Sequence, residues 1–270
     1  MMAEQDWIPP GVDTQRANPA RVYDYWLGGS HNFLADQDLG RQIAAVDPIV
    51  RPGARANRAF LGRAVRFLAG QGIRQFLDLG SGIPTQGNVH EVAQRADPDA
   101  RVAYVDIDPV AVAHSKAILA GQPNASITHA DVRQPERILA EVTAEGLIDL
   151  SRPVGLLLVA VLHFIDDADD PWRLVATLRE ALAPGSYLVL GQGTNADKPM
   201  VADAFEKVYN RSSVTNIHMR SRAEILRFFD GFELVEPGLT YVTLWRPDPD
   251  DEATGDPRQF ANLVGVARKP

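Results

Sequence analysis

The sequence predicts an α/β fold in which helices cover a mostly parallel β-sheet, and three observations predict it. From residue 73 onward, short apolar runs alternate with segments of helical spacing. Two of these segments begin with an Asp-Pro pair, at positions 108–109 and 170–171, where the acid caps the helix and proline takes its first position. Residues 76–88 (FLDLGSGIPTQGN) are typical of a strand, a glycine-rich turn and a new helix. Strands that alternate with helices pair in parallel through right-handed crossovers.

The first 72 residues predict an N-terminal helical extension. Residues 1–17 are expected to form a tail or loop. A helix should begin at Asn18-Pro19 and end at the two glycines after Leu27, because Asn caps a helix and glycine ends one. Two more helices are expected over about residues 36–46 and 53–71, the second with apolar residues at helical spacing.

Residues 73–270 predict the sheet and its connections. The first five strands are expected at residues 75–79, 101–105, 125–129, 154–161 and 187–191. Residues 195–230 predict a helical insertion near the substrate site, and the last strands are expected at 232–235 with 241–245 and at 262–267. Because the chain closes with strands and no covering helix, we expect an antiparallel strand at the sheet edge. The predicted architecture is a Rossmann-like, doubly wound sheet of seven strands.

Composition narrows the function classes. The net charge of −8 argues against non-specific electrostatic binding of nucleic acid. Five arginines on the predicted third helix are typical of a solvent-exposed helix face: Arg51, Arg55, Arg58, Arg63 and Arg66. The chain contains no cysteine, which excludes a disulfide framework and thiolate chemistry. No apolar run approaches the ~20 residues of a membrane span, and the N-terminus lacks the regions of a signal peptide. We therefore expect a cytoplasmic protein without membrane association. The histidines show no metal-ligand spacing, so no metal is expected.

Acidic residues mark the ends of three consecutive predicted strands. Asp78 ends the first, just before Gly80 and Gly82, Asp106 ends the second, and Asp131 follows the third. Glycine suits a turn that passes close to a ligand because it lacks a Cβ and adopts positive φ at little cost. The carboxyl ends of parallel strands meet at one edge of the sheet, where open α/β sheets bind ligands. The pattern predicts a nucleoside-bearing cofactor, with the second acid on the ribose hydroxyls.

The residues after the turn distinguish between cofactors. A dinucleotide site favours a third glycine, which lets the helix N-terminus approach a pyrophosphate. Here Ile83-Pro84 follow Gly82, and the next helix is expected to begin around Thr85. A bulky side chain and a proline favour a cofactor without a phosphate.

Several strings resemble one enzyme family over nearly the whole chain: residues 19–33 (PARVYDYWLGGSHNF), 54–65 (ARANRAFLGRAV), 82–94 (GIPTQGNVHEVAQ), 104–110 (YVDIDPV) and 156–165 (LLLVAVLHFI). The chain resembles the class I S-adenosylmethionine-dependent methyltransferases, and more closely a bacterial S-adenosyl methyltransferase family of largely uncharacterised substrate. The resemblance implies contacts to each part of the cofactor: Asp78, Gly80, Ser81 and Gly82 to methionine, Asp106 to ribose with Asp108 beside it, Asp131 to adenine, and Ala160 to His163 near the transferable methyl group.

One departure limits the substrates that the resemblance implies. Many methyltransferases that act on amines or nucleobases carry an Asn/Asp-Pro-Pro-aromatic motif after the fourth strand. This chain has Val161-Leu162-His163-Phe164 there, so amide or nucleobase N-methylation is not supported by a motif.

The first helix has two interpretations. Tyr23 and Trp26 share a face with apolar neighbours, which fits packing onto the core or a lid whose aromatic rings cover the sulfonium. The family resemblance favours the lid, with Tyr25 and Asn32 among the cofactor-binding candidates. His163 and Tyr23 are the candidate general bases, needed only for an acceptor such as a hydroxyl.

The leading hypothesis is methyl transfer from S-adenosylmethionine to an unidentified small-molecule acceptor. The cofactor carries the reactive group, so the protein has chiefly to orient the two molecules, and no catalytic dyad need stand out. Two alternatives stay open: a non-catalytic S-adenosylmethionine-binding module, and an NAD(P)-dependent oxidoreductase. The sequence indicates neither the acceptor nor the oligomeric state.

Overall fold

A computed structural model describes residues 8–84, 87–249 and 255–270 of the chain. The strands are β1 (Gln75–Leu79), β2 (Arg101–Asp106), β3 (Ala125–His129), β4 (Gly155–Val159), β5 (Tyr187–Gly193), β6 (Glu233–Leu234), β7 (Thr240–Tyr241) and β8 (Asn262–Arg268). The helices are α1 (Pro19–Leu27), α2 (Leu34–Val46), α3 (Val50–Gly70), α4 (Val89–Ala96), α5 (Pro109–Ile118), α6 (Pro135–Ala144), α7 (Pro171–Ala181), α8 (Pro199–Ser212) and α9 (Arg222–Arg227). Short 3₁₀ turns cover Leu162–Phe164, Asp167–Asp169 and Pro257–Phe260.

The strands form one sheet in the order β3-β2-β1-β4-β5-β8-β6, with β7 also paired to β8. Strands β1 to β5 are parallel, and β8 is antiparallel to β5. This confirms the predicted mostly parallel sheet with an antiparallel strand on that side. The strand order reverses between β1 and β4, and a crevice opens at such a point outside the carboxyl ends of the strands.

The outermost position beyond β8 holds two short strands rather than one. β6 pairs with one end of β8 and β7 with the other, so the described sheet has eight strands where seven were predicted. The predicted strand over residues 241–245 is wrong beyond Tyr241. The guanidinium of Arg63 donates to the carbonyl oxygens of Val242 (2.9 Å) and Trp245 (3.0 Å), which holds that segment as a turn instead of a ladder.

The N-terminal helices are built into the core. From α3, Phe60 and Leu68 are fully buried in the cluster that covers one face of the sheet, and Phe60 meets the buried Trp245 ring edge-on at 5.4 Å. Helices α1 and α2 share a second cluster with α8, in which Val22 and Tyr209 are buried. The predicted N-terminal helices are confirmed, and they contact both the sheet and the segment after β5.

Local chemistry sets the element boundaries. Helix α1 starts as predicted, with the Asn18 side chain accepting from the N–H of Ala20 at 2.9 Å. Helix α4 begins at Val89 rather than near Thr85, which lies outside the described residues. Strand β4 ends at Val159, two residues earlier than predicted, because Ala160 adopts a left-handed φ of 62° and turns the chain away from the sheet.

Candidate functional site

The turn after β1 lies at the point where the strand order reverses. The N–H groups of Gly80 and Ser81 donate to the carbonyl oxygen of Val105 at 2.8 and 3.2 Å, which ties the turn to the end of β2. Gly80 and Gly82 have φ values of +74° and +70°, a region that side chains other than glycine rarely adopt. A Cβ on Gly80 would stand 2.4 Å from Cγ2 of Val161, so only glycine lets this turn meet the segment after β4.

Asp106 joins the turn to the start of α5. Its carboxylate accepts from the N–H of Gly82 at 2.7 Å and from the N–H of Asp108 at 2.8 Å. Burial raises the pKa of Asp106 to about 6, although these hydrogen bonds act in the opposite direction. The carboxylate is therefore fixed in place before any ligand binds.

Asp78 is the second buried acid of the site. Burial raises its pKa to about 7; the positive charge of Arg58 on α3 lowers it, and the nearby Asp106 raises it further. The carboxyl group thus changes its protonation near neutral pH. A cationic ligand group placed beside it would favour the ionised form.

A cavity of about 580 Å³ extends from this turn between the sheet edge and the helices α1, α3 and α8. The volume lies within the ~300–1,000 Å³ typical of small-molecule and cofactor sites. One end is formed by the turn and the ends of β2 and β3. The other end is formed by aromatic and aliphatic side chains of α1 and α8 and by the segment after β4: Trp26, Phe164, Phe205, Tyr209, Ile217 and Met219.

The cavity wall holds buried polar atoms that have no hydrogen-bond partner within the described part of the chain. They are Nη2 of Arg58, Oγ of Ser81, Nδ1 of His163 and Oδ1 of Asn262. A buried polar group without a partner costs roughly 1–3 kcal/mol, and a ligand that supplies the partner recovers it. The wall therefore offers both donors and acceptors to a bound molecule.

Most of the candidate residues come together at this cavity. Its lining includes Tyr23, Asp78, Gly80, Ser81, Gly82, Asp106, Asp131, Ala160 and His163. Asp131 also accepts from Nε of Arg133 at 2.9 Å. Burial alone would raise the pKa of Asp131, but the hydrogen bonds from Arg133 outweigh it and the pKa lies below its ordinary value.

Three candidates are not brought to the cavity wall, because each is engaged elsewhere. The ring of Tyr25 lies against Gly40 of α2 and the guanidinium of Arg51, 4.7 Å away. The side chain of Asn32 donates to Asp24 at 2.8 Å. Asp108 caps α5 and accepts from the N–H of Val110 at 2.8 Å.

The two candidate general bases are poorly suited to remove a proton. The hydroxyl of Tyr23 donates to the carbonyl oxygen of Ala54 at 3.0 Å. Burial raises the pKa of this hydroxyl above its ordinary value. Burial lowers the pKa of His163 to about 3, and the charges of Arg220 and His218 act in the same direction. The His163 imidazole is thus neutral at physiological pH and weakly basic. The geometry favours a hydrogen-bonding role for both side chains.

Comparison with known proteins shows the family of the chain. The sequence matches the family model described as S-adenosyl methyltransferase over residues 5–270. The chain belongs to this methyltransferase family. No curated protein matches the sequence. A solved protein from Thermobifida fusca YX, described as a candidate methyltransferase, is 44% identical with a TM-score of 0.90 over 98% of this chain and 99% of that one.

Two further solved structures resemble the methyltransferase. A protein of the DUF574 family from Streptomyces avermitilis MA-4680 is 39% identical, with a TM-score of 0.91 over 96% of this chain and 99% of that one. The N-methyltransferase NodS from Bradyrhizobium japonicum WM9 is 15% identical, with a TM-score of 0.50 over 81% of this chain and 97% of that one. At that identity, the likeness to NodS concerns the fold alone.

S-adenosylmethionine is the cofactor of this methyltransferase, and the residues present fit it. The wall offers hydrogen-bond donors at Ser81 and Arg58, and acidic acceptors, beside a turn kept open by glycine. A dinucleotide would need the N-terminus of α4 for its pyrophosphate. N–H groups at that position are engaged within the chain. Those of Gly87 (3.0 Å) and Asn88 (3.1 Å), just before the helix, donate to the carboxylate of Glu91, and that of His90 in the first turn donates to the hydroxyl of Tyr104 at 2.8 Å.

The sequence reasoning missed residues that reach the cavity only through tertiary packing. Arg58 was placed on a solvated helix face but is half-buried at the cavity, and Arg63 is buried. Asn57, Asn262 and the aromatic residues of α8 were not singled out. The helical spacing of Phe205 and Tyr209 was the one available signal. Among the described residues, no helix is long and apolar enough to cross a membrane, and no cluster of three acidic or histidine side chains is arranged for a metal ion.

Proposed function

We propose that this methyltransferase acts on a small, largely apolar acceptor that carries one hydrogen-bond donor, such as an aromatic hydroxyl or amine. The observation that carries the proposal is one continuous cavity with two chemically different ends. One end has the acids and the glycine turn that suit the cofactor. The other end is lined mainly by apolar side chains, which suits a second molecule of a different kind.

The acceptor end has a continuous aromatic wall. The rings of Phe205 and Tyr209 on α8 are stacked with centroids 6.1 Å apart, and Phe164 lies 5.8 Å from Tyr209. Trp26 on α1 closes the wall edge-on against Phe205 at 6.3 Å. Aromatic rings favour stacked or edge-on partners at such spacings, so the wall supports a planar acceptor.

A chain of hydrogen bonds ends at this part of the cavity. The hydroxyl of Tyr23 has one proton, which it donates to Ala54, so it accepts from Nδ2 of Asn57 at 3.0 Å. Oδ1 of Asn57 in turn accepts from Nδ2 of Asn262 at 3.2 Å. The donors therefore run in one direction, from Asn262 to Asn57, to Tyr23 and to Ala54. Nothing in the described part of the chain donates to Oδ1 of Asn262, which is left as a buried acceptor. This oxygen supports an acceptor molecule that presents an N–H or O–H group.

His163 stands close to the same end. Gly193 pairs with Asn262 across the sheet, and a Cβ on Gly193 would be 3.8 Å from Nδ1 of His163. The bound cofactor supplies a methyl group already activated by its sulfonium, so the protein's task is to hold the nucleophilic atom in line with it. We infer that His163 and Asn262 orient that atom by hydrogen bonds, and that the proton of the acceptor leaves to solvent.

A turnover assay tests the proposal. The protein is incubated with S-adenosylmethionine and, in separate reactions, aromatic hydroxyls, aromatic amines, transfer RNA and a protein extract, and S-adenosylhomocysteine is measured. We expect turnover with members of the first two classes only. Turnover with RNA or protein alone would contradict a small-molecule acceptor. Binding of the cofactor without turnover on any acceptor would favour the non-catalytic binding module.

Asn262→Leu tests the acceptor contact with the best acceptor found in that assay. Loss of a buried hydrogen bond should raise KM for the acceptor by about tenfold, because such a bond contributes about 1.4 kcal/mol. The dissociation constant of S-adenosylhomocysteine should stay within about twofold, since Asn262 serves the other end of the cavity. An unchanged KM would contradict the contact.

A cytoplasmic location and a bacterial source stay predictions from the sequence.

A further inference from the structure

Arg220 is a buried arginine that lies behind the cavity wall without lining it. It belongs to the segment between α8 and α9 and is only 2% exposed. Its guanidinium donates to the carbonyl oxygens of Leu162 (2.8 Å) and Ile165 (2.7 Å). These two residues stand on either side of His163 and Phe164 in the loop after β4. One side chain thus fixes the backbone on both sides of His163.

The charge of Arg220 is matched by an acid and two aromatic rings. Nη2 donates to Oδ1 of Asp167 at 2.7 Å. The guanidinium carbon lies 5.4 Å from the ring centroid of Trp172 and 5.7 Å from that of Phe228. A buried cation needs such partners, because an uncompensated charge in the interior is strongly destabilising. These partners hold the guanidinium from several sides, so the loop carbonyls that it binds are held with it.

Main-chain contacts join the same two segments next to Arg220. The N–H of His218 donates to the carbonyl oxygen of His163 at 2.7 Å. The N–H of Arg220 donates to the carbonyl oxygen of Gly193 at 3.2 Å. Met219 lines the cavity between them, and a Cβ on Gly193 would stand 2.5 Å from its sulfur and 3.8 Å from Nδ1 of His163. Met219 and His163 therefore approach the same point of the wall.

We propose that Arg220 is a positioning residue for methyl transfer, which holds the loop after β4 so that His163 meets the acceptor in line with the methyl group. This proposal rests on the proposed function, in which His163 helps to orient the nucleophilic atom. In-line displacement tolerates little misalignment, and a displacement of about 1 Å can cost roughly 10²-fold in rate. A side chain that never touches the acceptor can therefore control the rate.

The charge of Arg220 also suits a sulfonium cofactor. Burial lowers the pKa of His163 to about 3, and the charges of Arg220 and His218 lower it as well. The imidazole therefore stays uncharged near the position that the family resemblance implies for the methyl group. An uncharged ring does not repel the positive sulfonium, so position and charge act together.

The first test compares two buried arginines that hold main-chain carbonyl groups. Arg63 is the matched control, because it is 6% exposed, donates to the carbonyl oxygens of Val242 and Trp245, and lies outside the cavity lining. The variants are Arg220→Lys, Arg220→Met and Arg63→Met. For each, kcat and KM are measured with the best acceptor of the turnover assay, and the dissociation constant of S-adenosylhomocysteine by calorimetry. Unfolding curves set a temperature at which every variant is folded.

Arg220→Met should lower kcat by roughly 10²-fold, as expected for a misplaced reacting group. Arg220→Lys should lower it by about tenfold, since lysine keeps the charge but lacks the planar fork that reaches both carbonyls. The acceptor KM and the dissociation constant of S-adenosylhomocysteine should change by less than about threefold, because the lost interaction acts in the transition state. Arg63→Met should lower stability and leave kcat within about twofold.

A second measurement needs no acceptor. The chain has four methionines, and Met219 lies at the wall that Arg220 supports. With the methionine methyl groups labelled with ¹³C, the Met219 resonance is assigned by Met219→Leu and followed in the complex with S-adenosylhomocysteine. Arg220→Lys should shift this resonance, and Arg63→Met should leave it in place. Arg220→Lys also keeps the test open if Arg220→Met does not fold.

Three results would overturn the proposal. An unchanged kcat in the folded Arg220 variants, or an equal loss of kcat in Arg63→Met, would mean that Arg220 contributes only to stability. A Met219 resonance that does not move in Arg220→Lys would mean that the guanidinium does not set this wall. Failure of the native protein to turn over any small acceptor would refute the proposed function and the role of Arg220 with it. A defect confined to the Arg220 variants of an active protein bears on Arg220 alone.

Discussion

Asp78 is the residue at which burial and ionisation conflict most directly. Burial raises its pKa from 3.8 to about 7 in the folded protein. Between these values the folded protein keeps a proton that the unfolded chain has released. The stability linked to that proton is therefore fully present below about pH 4 and is lost as the pH rises through about 7.

Asp78→Asn should remove this pH dependence, because an amide has the same shape and does not ionise. The free energy of unfolding of the native protein minus that of the variant should fall by on the order of 4 kcal/mol between about pH 4 and pH 8. Urea denaturation without ligand measures both proteins. Taking the difference cancels the other buried carboxyl groups, such as Asp36 and Asp47, whose pKa values burial also raises. A difference that stays flat with pH would show that Asp78 ionises normally.

At the scale of single residues, the positions of side chains that follow from the local sequence could be predicted. Those that follow from tertiary packing could not. Asp78 and Asp106 could be predicted at the sheet edge because each directly ends an apolar run. Arg58 could not be told from Arg55, since both lie on one amphipathic helix. Only the approach of α3 to the turn after β1 separates the half-buried arginine from the exposed one.

Among the elements, the turn after β1 and the end of β4 are fitted to each other. Val161 follows the left-handed Ala160 and packs against Gly80, so the two loops at this end of the cavity meet at one glycine. Packing at such a point is sensitive to a single methyl group, because protein interiors have few voids to absorb it.

Gly80→Ala should destabilise the protein by roughly 2–5 kcal/mol, which combines overpacking against Val161 with left-handed strain. Gly82→Ala is the matched control, since its φ is also positive but its Cβ would meet no described atom within 4 Å. It should cost only about 1–2 kcal/mol. Urea denaturation measures both, and Val161→Ala should restore part of the loss in the Gly80 variant. Equal losses at the two glycines would contradict the proposed contact.

Elements with strong local signals were predicted well, and those fixed by distant partners were not. Helix α1 and strands β1 and β3 match the predictions because caps, prolines and apolar runs mark their ends. The segment after Tyr241 is apolar enough for a strand, but Arg63, far away in the sequence, takes its carbonyl groups. Pattern alone cannot show such a partner.

In the whole molecule, the N-terminal helices and the sheet enclose the cavity together. Helix α3 packs on the sheet through Phe60 and Leu68, and α1 and α2 pack on α8. The sequence predicted these helices as an extension or a lid, but their burial against α8 depends on contacts between residues far apart in the chain, such as the edge-on contact of the Trp26 and Phe205 rings. Local sequence patterns cannot predict contacts between residues so far apart in the chain.

We therefore expect the chain to unfold as one cooperative unit. Helix content measured by circular dichroism and the fluorescence of Trp26 and Trp245 should follow the same urea transition, because the first tryptophan reports on α1 and the second on the core of the sheet. Variants with the other tryptophans replaced by Phe isolate each signal. Separate midpoints for Trp26 and Trp245 would show that the N-terminal helices form a detachable lid.

The most direct test of the account is the stabilisation of the whole protein by its cofactor product. S-adenosylhomocysteine at ~100 times its dissociation constant should add ~2.7 kcal/mol to the free energy of unfolding. NAD at the same concentration should add nothing. Asp106→Ala should remove most of the gain, because the variant would lose the ribose contact that the family resemblance implies for Asp106. Stabilisation by NAD with none by S-adenosylhomocysteine would contradict the account, and a full gain in the Asp106 variant would refute the ribose contact.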